Sequence, residues 1–295
     1  ILKIVDFLNA RARENQWGFV DFNRPMVAIN QWEQAADSMY TLCGKDRIHP
    51  STDGHLVMAY LFLKAQGLAG KPVADIRIDG AGKKVTRSDN CRVSDLSVSS
   101  DNLTFTYEAK SLPYPIDTSY YDNEKHTQAD ALSVIPFMDE MNYEGLSVSG
   151  LSDGYYGLTI GGEFIGRFTA RELERGINMA LLQNTPQYKQ AMKIRQMNEE
   201  RWLKERKMRE FYWVEYNLMR KTGMLWACDE AAVDTLRKYR PHDIFLQWNG
   251  DLWLQYMHKG IREDCVNEQQ DLVDRIYEQN KPIPLQIEIK KFTDL

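Results

Sequence analysis

An aspartate and a histidine three residues apart open the string Asp46-Arg47-Ile48-His49-Pro50-Ser51-Thr52-Asp53-Gly54-His55. Residues of these types at this spacing can do acid–base chemistry. On a folded-back loop the Asp46 carboxylate accepts a hydrogen bond from Nδ1 of His49. That bond fixes the imidazole tautomer, leaves Nε2 facing outward as a base, and stabilises the imidazolium formed in a transition state. Pro50 lacks a backbone donor and stiffens the chain directly behind the histidine. Gly54 allows a tight entry into the helix that follows. Such spacing also arises in plain surface loops, where the aspartate caps and the histidine is incidental. The whole string, set between an apolar run and an apolar helix, favours the chemical reading. His55, at a helix start, reads as a packing or capping residue, and Cys43 as a buried structural thiol rather than a nucleophile.

The elements that must position this loop are read from apolar spacing. Residues 1–16 show a helical pattern, with Ile1, Ile4, Val5, Leu8 and Ala12 on one face and Lys3, Arg11, Arg13 and Glu14 on the other. Gly18 follows, then Phe19-Val20-Asp21-Phe22, a short run of strand type. Residues 24–42 are helical or irregular. After the loop, His55 to Gln66 is a strongly apolar helix closed by Gly67 and Gly70. Helix, strand, loop and helix with short links predict the end of a parallel α/β sheet over 1–70.

The pattern changes at Lys71-Pro72. Over 71–168, short alternating runs such as Ala74-Asp75-Ile76-Arg77-Ile78 and Leu103-Thr104-Phe105-Thr106-Tyr107 are separated by turns, with Asp79-Gly80 and Gly161-Gly162 as hairpin signals. These predict a β-rich module of sandwich type. Over 169–295 the spacing is helical. Thr169 with Glu172 forms a capping box for a helix reaching about Leu182, and Thr185-Pro186 starts a second helix that runs to about Met219 and ends at Gly223. Further helices are expected from Asp229 to Gln279, and an extended strand from Pro282, over Leu285–Ile289. The aromatic segment Ile244 to Tyr256, together with Tyr114 and Tyr120-Tyr121-Asp122, could stack on sugars, although such rings are more often core or contact residues. The mixed charges from Glu199 to Glu210 describe a solvated helix face.

The string Asp-x-x-His-Pro-(x)3-Gly-His resembles the last motif block of the SGNH (GDSL-type) hydrolases. Residues 150–162, 168–173 and 176–178 and Thr185-Pro186-(x)3-Gln190-Ala191 are similar to the C-terminal extension of certain long bacterial members. The resemblance implies the C-terminal part of a flavodoxin-like three-layer α/β domain, with His49 as general base and Asp46 as its orienting acid in a serine ester hydrolase. It also implies no cofactor. The family's Gly-Asp-Ser nucleophile block is absent from the sequence, so the serine is expected from a segment upstream of Ile1. The start at Ile1-Leu2-Lys3, without Met, fits that expectation. The implied substrate is a glycan or small-molecule ester, with carbohydrate acetyl groups foremost, and the implied location is extracytoplasmic, secreted or periplasmic. A different class of function, a non-catalytic glycan-binding module on a degenerate hydrolase half, fits the same aromatic content.

Composition narrows the field. The 295 residues are 43% hydrophobic and 27% charged, with a net charge of -5. No basic field draws nucleic acid or anionic lipid, and no apolar run reaches the roughly 18 residues of a membrane span. The four cysteines are widely spaced without a Cys-x-x-Cys, which argues against a structural zinc site and leaves disulfides open.

Overall fold

Period-two alternation builds most of the strands in this computed structural model, which describes residues 1–119 and 126–292. The chain divides into two compact units. One comprises Ile1–Lys189 together with the stretch from Pro282, and the other Gln190–Lys281.

In the first unit, β1 (Ala74–Asp79) pairs antiparallel with β2 (Lys84–Asp89) and parallel with β5 (Glu144–Ser149), whose far edge takes the two-residue β8 (Ile177–Asn178). A second sheet is antiparallel throughout, in the order β3 (Cys91–Val98), β4 (Asn102–Ala109), β9 (Leu285–Lys291), β6 (Tyr155–Ile160) and β7 (Glu163–Thr169). Inward side chains of both sheets form one core, including Ile76, Ile78, Leu146 and Val148 from the first and Phe105, Leu158, Ile160, Ile287 and Ile289 from the second. Each fully buried side chain of this size stabilises the fold by roughly 1.5–3 kcal/mol. The tail strand expected from Pro282 thus lies in the middle of a sheet whose other strands come from 91–169. At Gly161-Gly162, both residues have positive φ (58° and 83°), as a two-residue hairpin turn requires.

One polar group is sealed into this core. Glu144 is fully buried, accepts from the Tyr107 hydroxyl at 2.8 Å and from Gln187 Nε2 at 3.2 and 3.4 Å, and has no cationic partner among the described residues. Burial pushes its carboxyl up to about 7, against the opposing effect of those hydrogen bonds.

Residues 1–70 contain three helices and no strand: α1 (Leu2–Asn15), α2 (Asn23–Glu33) and α3 (Thr52–Ala65). The strand expected at Phe19–Phe22 is not formed, because a strand needs a hydrogen-bonded neighbour and none lies beside it among the described residues. No parallel flavodoxin-like sheet is therefore present over 1–70. The architecture is mixed α/β with two sheets and helices. α3 buries Leu56, Val57 and Tyr60 against Ile116, Ala131, Ile135 and Phe137, the last of which opens the short α4 (Phe137–Glu140). Most of the large apolar side chains of α1 stay exposed, Ile4 at 62% and Phe7 at 59%, while Ala12 is buried.

The helix begun by the Thr169 cap is α5 (Ala170–Arg175), shorter than expected. The capping box forms, with Glu172 N donating to Thr169 Oγ1 at 3.1 Å. Gly176, at φ 93, then turns the chain into β8 before the apolar periodicity runs out.

The second unit is helical. α6 (Pro186–Val214) opens into a π-helical stretch over Glu215–Met219 and is followed by α7 (Glu230–Tyr239), α8 (Ile244–Tyr256) and α9 (Lys259–Gln279). Its core includes Phe211, Val214, Met219, Leu236, Leu246 and Trp253. Among the described residues no helix is long and apolar enough to cross a membrane.

Candidate functional site

The loop between α2 and α3 is a small knot of backbone hydrogen bonds that carries one imidazole. Cys43 and Pro50 form an isolated antiparallel bridge. Gly44 N donates to His49 O at 2.8 Å, and Arg47, at φ 56, closes a turn with its N on Gly44 O at 2.9 Å. Asp46 then acts twice. Its Oδ1 accepts from the backbone N of Ile48 (2.9 Å) and of His49 (3.1 Å), while Oδ2 lies 2.5 Å from Nδ1 of His49. The hydrogen bond from His49, helped by the two backbone donors, holds the Asp46 carboxyl down to about 2. The carboxylate is therefore ionised and takes a hydrogen bond from Nδ1, so that in the neutral imidazole the Nε2 lone pair is the one left free. Nε2 has no partner among the described residues, and the His49 side chain is 84% exposed. An imidazole so oriented can take a proton from a group brought to Nε2 and return it to a leaving group.

Below the loop, a second carboxylate ties it to the helix. Ser51 donates from N and from Oγ to Leu42 O, each at 3.0 Å, and Ser51 Oγ also bonds Asp53 Oδ1. Asp53 is 1% exposed. Its Oδ1 accepts from Gly54 N at 2.8 Å, and its Oδ2 lies 3.7 Å from Nδ1 of His126, whose ring meets Tyr40 edge-on. Burial, with the Asp53 charge nearby, pushes the Tyr40 hydroxyl up to about 12. A Cβ on Gly54 would stand 2.0 Å from Leu42 O, so the glycine is required by close backbone approach.

The structure brings Asp46 and His49 together and leaves the other candidates apart. His55 points outward from α3, and all four cysteines are free thiols, with Cys43 half-buried. Tyr114 is committed to Gln128 Nε2 at 2.8 Å and to an edge contact with Phe137. Tyr120, Tyr121 and Asp122 lie outside the described residues. Within Ile244–Tyr256, Trp253 is wholly buried whereas Trp248 is 66% exposed, so core and surface roles are divided along one helix. Sequence reasoning missed the Asp53–His126 contact. The Ser51-x-Asp53 spacing was a signal for its first half, but nothing local marks His126. No group of three or more His, Cys, Asp or Glu among the described residues is arranged to hold a metal.

The chain thus combines a mixed α/β unit, a helical unit and an exposed, carboxylate-held imidazole. Residues 192–281 match a family model described as the diltiazem deacetylase C-terminal helical domain. The whole chain is similar to a solved structure described as BT4096, a gut microbial diltiazem-metabolizing enzyme, at 42% identity and a TM-score of 0.91. The match covers 98% of this chain and 66% of that one. No curated protein matches. Both likenesses are to proteins named for diltiazem metabolism or deacetylation and neither is to the SGNH hydrolases, which corrects the family resemblance drawn from Asp46–His55 and from 150–191. The physical reason is that a tethered Asp–His loop is a local solution to orienting an imidazole, and unrelated proteins arrive at it independently.

Proposed function

We propose that this chain supplies the acid–base pair of an ester hydrolase acting on acetyl esters. The observation that carries the reading is the 2.5 Å contact between Asp46 and Nδ1 of His49, with Nε2 facing solvent. The likeness to a diltiazem-metabolizing enzyme, and to a domain named for a deacetylase, supports the reaction class. In this reading a hydroxyl nucleophile comes from outside the 295 residues, from an upstream segment of the same gene product, since no described serine or threonine bonds His49 Nε2. The hydroxyl attacks the ester carbonyl carbon, and His49 Nε2 takes its proton. The tetrahedral adduct collapses, the alcohol leaves with the proton from Nε2, and water repeats the sequence on the acyl-enzyme. Asp46 holds the ring and balances the imidazolium charge.

The open setting of His49 suits an ester of either a small molecule or a glycan. The test is hydrolysis of an aryl acetate by the full-length gene product and its His49→Ala variant. Loss of several orders of magnitude in kcat supports the reading, and near wild-type turnover overturns it.

A further inference from the structure

The helical unit contains a strained residue that the acid–base pair does not account for. Trp226 has φ 64, in the left-handed region that a bulky side chain rarely adopts. Glu215 holds it there. This carboxylate is 1% exposed, accepts from Trp226 N at 2.9 Å through one oxygen and from Trp253 Nε1 at 2.8 Å through the other, and begins the π-helical stretch. Wide helical turns and strained backbone both concentrate at functional sites. Here a buried acid, a π turn and a left-handed backbone all serve to orient an indole that is itself 46% exposed.

The indole stands at 87° to both Tyr212 and Tyr216, with centroids 6.0 and 5.9 Å away, and the two tyrosines lie 39° apart from each other. Tyr212 is 39% and Tyr216 44% exposed. The rings thus make a corner, a tyrosine floor and a tryptophan wall. The indole Nε1–H and both hydroxyls have no hydrogen-bond partner among the described residues. The Arg220 guanidinium lies 5.6 Å over Tyr216, on one face of that ring.

We propose that Tyr212, Tyr216 and Trp226 form a binding corner for a saccharide ring. The axial C–H face of a pyranose packs on an aromatic plane, and its hydroxyls reach the three unpaired polar tips. An apolar protein or lipid surface would bury those tips without partners, which costs free energy. An ammonium ligand would meet the positive charge of Arg220. The inference stands apart from the hydrolase reading, because binding needs neither Asp46 nor His49.

The experiment is calorimetric titration of the 295-residue chain with cellohexaose, xylohexaose, maltohexaose and chitohexaose, with tetramethylammonium as the cationic control. At least one hexasaccharide is expected to bind saturably at sub-millimolar to millimolar concentration. Trp226→Gly, which removes the ring but accepts the positive φ, should weaken that binding at least tenfold without moving Tm by more than a few degrees. Tyr216→Phe, which removes only a hydroxyl, should weaken it several-fold. Aryl acetate hydrolysis by full-length Trp226→Gly should be unchanged. Binding by none of the four sugars, wild-type binding by Trp226→Gly, or binding of tetramethylammonium alone overturns the proposal.

Discussion

Asp46 sits on an exposed loop with its carboxyl held down to about 2, whereas Glu144 is sealed between two sheets with its carboxyl pushed up to about 7. Both accept several hydrogen bonds, so donor number does not separate them. For Asp46 the donors act in a solvated setting and favour the anion. For Glu144 the loss of water outweighs the Tyr107 and Gln187 donors, and among the described residues no cation compensates. The loop carboxylate is a permanent charge under an imidazole. The core carboxylate instead keeps its proton up to about pH 7 as part of the packed structure.

The largest expected effect breaks the loop side of this contrast. In the full-length gene product, the proposed function predicts that His49→Ala lowers kcat on an aryl acetate by about 10⁴-fold or more, measured against an unchanged unfolding midpoint. Asp46→Asn keeps the shape but removes the charge and the fixed tautomer, and should cost about 10²–10⁴-fold. If Asn serves as well as Asp, the charge has no role and the contrast with Glu144 collapses.

The core side is tested by pH. Between the ordinary 4.5 and about 7, the folded chain keeps a proton on Glu144 that the unfolded chain releases. Stability therefore falls as pH rises through that window, by about 3 kcal/mol, and levels off above it. Denaturant unfolding from pH 4.5 to 8 should show the fall, and Glu144→Gln should flatten it. A flat wild-type profile would mean that the core carries no such proton. The smallest effect is local. Thr169→Ala removes the cap of α5 and should cost about 1 kcal/mol in the same measurement, while leaving esterase activity intact.

What could be read from the sequence was what is settled within a few residues. The Asp46–His49 contact spans one turn of loop, the Gly161-Gly162 hairpin is set by two glycines, and the Thr169 cap by its own first turn. Readings failed where a distant partner decides. Phe19–Phe22 has strand composition but no strand beside it among the described residues, and no pattern in Leu285–Lys291 announces that its neighbours are β4 and β6. The end of α5 was misjudged because apolar spacing continues past Gly176 while the backbone does not. His126 under Asp53, and Gln187 and Tyr107 around Glu144, are joined only by the fold. The family resemblance leaned chiefly on a local loop string, and similarity over the whole chain corrected it.

The central place of β9 has a consequence for synthesis. Every strand of the five-stranded sheet lies outside Gln190–Lys281, and β9 is made only after that helical unit. At ~5–20 residues per second on a ribosome, roughly 90 residues must emerge before the middle lane is filled. For those several seconds the β3–β4 and β6–β7 hairpins each present an unpaired edge, open to pairing with a neighbouring chain. A nascent chain arrested before Leu285 should therefore be captured by chaperones or aggregate, while one released past Lys291 should not. The helical unit acts as a timer on the closure of a sheet to which it lends no strand.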